Sequence, residues 1–153
     1  LDREKEEVMI PVHLMEHHKG LPLPSYATPR SSGMDLHAAV EEPVTIPPGG
    51  RALIPTGIRI SLPPDMEAQV RPRSGLALNQ GVTILNAPGT IDSDYRGEIK
   101  VILVNLGSSP FCVRRGDRIA QLVFQRVLRV RFTPTDVLDD TERQGGGFGH
   151  SGL

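Results

Sequence analysis

Gly89-Thr90-Ile91-Asp92-Ser93-Asp94-Tyr95-Arg96-Gly97-Glu98 runs directly into Ile99-Lys100-Val101-Ile102-Leu103-Val104-Asn105-Leu106. The second half is nearly all apolar and rich in β-branched residues, the pattern of a strand covered on both faces. The first half, bounded by glycines, packs two acids and an aromatic into a turn. Upstream, Ile58, Ile60 and Leu62 alternate with Arg59 and Ser61, the period of a half-buried strand. Downstream, apolar and polar residues mostly alternate from Ile119 to Phe132, with Leu122, Phe124, Leu128, Val130 and Phe132 set against Arg126, Arg129 and Arg131. Fourteen prolines and sixteen glycines interrupt the chain too often for long helices. Only Ser74 to Asn79 reads as briefly helical, with Ser74 as its N-cap. Many short strands joined by Gly/Pro turns predict an all-β sandwich or barrel.

The chain of 153 residues is of single-domain size and can bury roughly 70% of its unfolded surface without disulfides. Its single cysteine, Cys112, has no intrachain partner, which fits a reducing compartment. Flanked by Phe111 and Val113, it reads as a packing residue. Seventeen basic and eighteen acidic residues leave a net charge of −1, which argues against a general nucleic-acid binder. A local basic site drawn from Arg71, Arg73, Arg114, Arg115, Arg118 and Arg143 stays open. No apolar run approaches the length of a membrane span, and the first residues lack a charged-then-apolar signal pattern. The chain opens on Leu, as a fragment or processed form does, and soluble and cytoplasmic is the default expectation. Residues 1–7 read as a mobile charged terminus, 8–138 as the folded domain and 139–153 as a flexible arm.

Several segments can carry chemistry. Asp92 is the first candidate, since a carboxylate can take a proton from attacking water; alternatively Asp92 and Asp94 only form the turn. Arg71-Pro72-Arg73-Ser74-Gly75 offers an arginine fork beside the outward-facing amides of a short helix, a setting that suits phosphate. In the glycine-rich stretch Arg143 to Gly149, Arg143 and Phe148 could close over a nucleotide, Phe148 stacking on a base; otherwise the stretch is a flexible linker or packs on a neighbouring subunit. Asp35 follows the turn at Ser32-Gly33. Gln121 is a polar residue in an apolar strand that needs a partner. Together these groups suit a triphosphate and a flat base.

Across nearly its whole length, from about Val8 to Gly152, the chain resembles the trimeric deoxyuridine triphosphatases (dUTPases), on five ordered segments around Asp35, Arg73-Ser74-Gly75, Gly89 to Glu98, Gln121 and Arg143 to Gly149. The resemblance implies a jelly roll of the β-clip type, a barrel-like all-β fold with one very short helix. It also implies a homotrimer whose active sites lie at subunit interfaces. The implied reaction is hydrolysis of dUTP to dUMP and pyrophosphate, with Mg²⁺ held mainly by the triphosphate. By the same resemblance Asp92 activates the water that attacks the α-phosphorus. Tyr95 packs beneath the deoxyribose and excludes UTP. Asn86, the backbone of Gly89, Thr90, Ile91 and Asp92, and the hairpin arm near Lys100 bind uracil and sugar. Arg73, Ser74, Gly75 and Gln121 hold the phosphates, Asp35 braces the site or reaches the metal through water, and Arg143, Phe148 and Gly149 form the lid. No nucleic-acid or membrane partner is implied.

Two positions depart from the family pattern. His150 stands where Ser or Thr usually follows the Phe-Gly pair, and Gln144 stands where glycine often follows the arginine. Two rival functions share the fold: a dCTP deaminase, which lacks this tail, and a non-catalytic jelly-roll trimer, which would not need Asp92. A further motif, His13-Leu14-Met15-Glu16-His17, matches the His-x-x-Glu-His pattern of inverted zinc proteases. That chemistry needs a helix, and Pro11, Gly20, Pro22 and Pro24 leave little room for one. The resemblance implies an N-terminal strand and surface loop there.

Overall fold

The computed structural model describes residues 7–152; the expected mobile terminus, Glu7 apart, lies outside the described residues. The strands are β1 (Val12–Leu14), β2 (Gly33–His37), β3 (Val44–Ile46), β4 (Arg51–Pro55), β5 (Ile58–Ile60), β6 (Met66–Arg71), β7 (Val82–Ile84), β8 (Gly89–Ile91), β9 (Lys100–Asn105), β10 (Phe111–Val113) and β11 (Arg118–Arg126). Among the described residues one α-helix, α1 (Ser74–Gln80), sits between β6 and β7. A four-stranded sheet has the order β2-β11-β6-β8 and a three-stranded sheet β4-β9-β7; β1-β5 and β10-β3 form separate pairs. Every pairing is antiparallel, and most join strands far apart in sequence.

Periodicity explains the sheets. Along β6, Met66, Ala68 and Val70 point into the core while Glu67, Gln69 and Arg71 point outward. The apolar run after the central turn becomes β9, flanked on both edges by β4 and β7. Its Val101 and Leu103 are fully buried and pack with Leu36, Ile54, Val113, Ile119 and Leu122. At its end Asn105 is a buried polar residue with its bonds made: Nδ2 donates to the Ile46 and Ser109 carbonyls at 2.9 and 2.8 Å, and Oδ1 accepts from Gly107 N–H at 2.9 Å. A buried amide so satisfied ties β9 to β3 and to the following turn.

Three sequence expectations are corrected. The strand expected from Ile119 to Phe132 ends at Arg126, and Leu128, Val130 and Phe132 are exposed. Their alternation continues, but no strand of the same chain pairs with it among the described residues. The covered run stops before Leu106, which is exposed, because the chain turns there at Gly107. Ser74 is the first helical residue and not the cap: Arg73, extended at φ −102° and ψ 129°, occupies the N-cap without a side-chain cap bond.

Candidate active site

The central turn is fixed by its own side chains. β8 pairs with β6 through Gly89 opposite Val70, Thr90 opposite Gln69 and Ile91 opposite Ala68. Past Ile91 the backbone reverses, with Tyr95 N–H donating to Asp92 O at 3.1 Å. The Asp92 carboxylate is exposed. The Tyr95 ring folds back over Gly97 and its hydroxyl donates to Glu98 O at 2.8 Å. A Cβ on Gly97 would lie 2.5 Å from Tyr95 Oη, so only glycine allows this close approach. Arg96 Nη1 donates to Ser93 O at 2.6 Å, closing the turn from outside, and Arg59 Nε donates to Arg96 O. Asn86 approaches Gly89, where a Cβ would lie 3.4 Å from Asn86 Nδ2. Lys100 is exposed at the start of β9.

A second cluster forms at one end of the four-stranded sheet, where Asp35 on β2 faces Gln121 on β11 and Gln121 faces Arg71 on β6. Arg73 Nε lies 3.2 Å from Asp35 Oδ1 and Arg118 Nη1 lies 3.6 Å from Asp35 Oδ2. Arg73 Nη1 also donates to Arg118 O at 3.0 Å. Gln121 finds its partner in the Pro72 carbonyl, to which Nε2 donates at 2.9 Å. Two guanidinium groups around one carboxylate leave a net positive corner beside the exposed Ser74 and Gly75, suited to a polyanion. Arg118 was only one of several arginines in the sequence; its contact with Asp35 marks it as part of this corner. Burial holds the His37 imidazole below its ordinary pKa, Arg118, His18 and Arg73 add to the depression, and Asp35 opposes it. His37 Nδ1 is buried without a hydrogen-bond partner.

Three other arginines bond outside this corner. Arg71 Nε donates to Gln69 Oε1 at 3.0 Å, and Arg115 Nη2 to Lys19 O at 2.7 Å. In the tail Arg143 Nε donates to Gly146 O at 2.6 Å, and Phe148 is fully exposed. Gln144 and Phe148 adopt φ of 47° and 52°, the left-handed region that favours glycine. The His-x-x-Glu-His stretch is split between β1 and a one-turn 3-10 helix, Glu16–His18, so its histidines do not share an α-helical face.

The turn and the positive corner stand at opposite ends of the sheet. Asp92 follows Ile91, which pairs with Ala68, whereas Gln121 pairs with Arg71. The step from Glu67 to Arg71 spans about 13 Å of strand, with Arg73 beyond it. For a divalent ion the donor chemistry is equally clear. Each Asp35 oxygen faces a guanidinium, which suits an outer, water-bridged contact. No cluster of three or more His, Cys, Asp or Glu suited to a metal occurs among the described residues. The donor chemistry of Asp35 fits an outer contact to a hydrated cation such as Mg²⁺.

Comparison with known proteins follows the same lines. The dUTPase family model matches residues 19–152. A deoxyuridine 5'-triphosphate nucleotidohydrolase from Caldanaerobacter subterraneus subsp. tengcongensis is 54% identical over 146 residues, covering 95% of this chain and 99% of the relative. One from a Thermoanaerobacter species is 52% identical with the same coverage. Among solved structures, a variant dUTPase of Staphylococcus bacteriophage 80alpha, bound to dUpNHpp, superposes with a TM-score of 0.85 at 21% identity, covering 95% of this chain and 99% of its own. A variant dUTPase of S. aureus phage phi11, solved to reveal coordination of a structural Mg(II) ion, gives 0.77 at 19% identity over 87% of this chain and 100% of its own.

Proposed function

The chain belongs to the dUTPase family and is a dUTP diphosphatase, and from that premise we propose a mechanism in which one active site draws on more than one copy of the chain. Asp92 takes a proton from water as its oxygen attacks the α-phosphorus. The new P–O bond forms as the bond to the β-phosphate oxygen breaks, so dUMP and pyrophosphate leave. The exposed Asp92 carboxylate at the mouth of a rigid turn supports this role, and general bases of this kind contribute about 10²–10⁴ in rate. Asp35, which fixes Arg73, would hold a Mg²⁺ arriving with the triphosphate, and the ion would supply charge neutralisation there.

Uracil and sugar lie against the backbone of Gly89 to Asp92, with Asn86 beside it and Lys100 at the hairpin arm. The Tyr95 ring floors the deoxyribose and leaves no space for a 2′-hydroxyl. Arg73, Ser74, Gly75 and Gln121 hold the phosphates, and Arg143, Phe148 and Gly149 close over the nucleotide.

The observation that carries the shared site is the strand register, which sets Asp92 and the Arg73–Gln121 corner at opposite ends of one sheet. A nucleotide needs both within a few ångströms, and a neighbouring copy supplies what one chain separates. The exposed alternating Leu128, Val130 and Phe132 offer apolar surface for such an assembly. We take it to be a homotrimer working in the cytoplasm, where it limits uracil entry into DNA and supplies dUMP for dTMP synthesis. Pyrophosphate release with Mg²⁺, measured side by side on dUTP, UTP, dTTP and dCTP, tests the selectivity. Turnover of dUTP alone is expected; comparable turnover of UTP would remove Tyr95 from its role. Ammonia release from dCTP would point to a deaminase.

A further inference from the structure

We propose that His17 and Glu98 are positioning residues for sugar selection, an inference resting on the assignment of Tyr95 above. Glu98 is the residue at which the central turn is anchored to the body of the protein. Its carbonyl accepts the Tyr95 hydroxyl at 2.8 Å. Its carboxylate, only 11% exposed, takes two hydrogen bonds through Oε2, from His17 Nε2 at 2.7 Å and from Gly57 N–H at 3.1 Å. One residue thus holds the ring through its backbone and the protein body through its side chain.

The anchor points are themselves fixed. Gly57 sits at φ +71° against His18, where a Cβ would lie 2.7 Å from His18 Cβ, and its carbonyl accepts Met15 N–H at 2.8 Å. The 3-10 turn carrying His17 is therefore docked on the Gly57 corner, and His17 reaches across to Glu98 from a distance of 81 residues in sequence. Ile99 N–H, next in the chain, donates to Ile58 O at 2.9 Å, so the turn enters β9 from a fixed point. A half-exposed ring acts as a steric floor only if its height is fixed. Discrimination against one hydroxyl is worth little when the opposing surface can yield. His17 lies outside every segment assigned to substrate, and it acts only through Glu98 and Tyr95.

The test measures kcat and KM for dUTP and UTP in wild type, His17→Ala, His17→Gln, Tyr95→Phe, Tyr95→Ala and the double variant His17→Ala/Tyr95→Phe. His17→Ala and Tyr95→Phe should each lower the dUTP-over-UTP ratio of kcat/KM by about fivefold or more, chiefly by easing UTP binding and raising the dUTP KM. His17→Gln, whose amide can donate in place of Nε2, should restore the ratio. The double variant should lose no more than the larger single loss, since both act through one anchor. The inference is overturned if Tyr95→Ala abolishes discrimination while His17→Ala leaves it intact, or if the double variant is fully additive. Unchanged discrimination in Tyr95→Ala would instead remove the sugar-floor assignment on which the inference rests. Thermal melting of each variant separates loss of selectivity from loss of fold.

Discussion

Replacing Gly97 with alanine moves the proposed sugar floor, the Tyr95 ring, without touching a charged or reacting group. A Cβ at this position would stand 2.5 Å from Tyr95 Oη, 2.6 Å from Cζ and 2.9 Å from Cε2. Relaxed contact needs about 3.5 Å or more, so the ring must withdraw by roughly 1 Å. That displacement breaks the hydroxyl bond to Glu98 O, a loss of about 1 kcal/mol. Tyr95 is 45% exposed and can swing into solvent, so the fold does not have to rearrange. The melting temperature should fall by only about 2–4 °C per kcal/mol for a chain of this length. Activity should suffer far more, because a misplacement of about 1 Å at a reacting centre can cost on the order of 10²-fold. Pyrophosphate release should show kcat/KM for dUTP reduced about 10- to 100-fold and discrimination against UTP weakened in parallel. Wild-type kcat/KM with wild-type selectivity in a folded Gly97→Ala protein would refute both the ring's role and the reasoning from its packing.

Further outcomes follow from other contacts. Asp92→Asn should keep nucleotide affinity in a binding titration while turnover falls at least about 10²-fold. Asn105→Ala strips the buried Ile46 carbonyl of its partner, together with the less buried Ser109 carbonyl and Gly107 N–H; with a buried orphan costing about 1–3 kcal/mol, urea denaturation should show a loss of at least about that size. Because folding depresses the His37 pKa, the folded state holds fewer protons than the unfolded chain below about pH 6.5. Stability therefore falls as pH drops from about 6.5 through the depressed value, and the contribution is complete below it. In His37→Gln, urea midpoints measured across that window should change less with pH than in wild type.

Much of the fold was legible because its signals are local. The β-branched run before Asn105, the inward–outward alternation of β6 and the glycine punctuation each dictate their element without reference to the rest. Where a signal depends on a partner, sequence alone stops short. Leu128, Val130 and Phe132 keep a strand's alternation, but a strand also needs a neighbour to pair with, and periodicity does not say where that neighbour is. Ser74 has the chemistry of a cap, yet the backbone turns helical one residue earlier than that chemistry suggests.

The site shows the same division. Asp35, Arg73 and Gln121 stood out individually, but their convergence with Arg118 depends on a three-strand register that no single segment encodes. Arg71 and Arg115 leave any common basic patch once their guanidinium groups find partners on Gln69 and Lys19. His17 lay inside a motif that suggested zinc. Its contact with Glu98 is visible only once β5 and the central turn are brought together.

The most direct test of a site shared between copies is complementation between two inactive chains. Asp92→Asn and Arg73→Ala proteins, differently tagged, are refolded together and the mixed assemblies purified. If one chain supplies Asp92 and its neighbour Arg73, every purified mixed trimer carries about one wild-type site in three, and activity should recover to about one third of the wild-type level. Mixed assemblies no more active than their parents would show that Asp92 and Arg73 must come from the same chain.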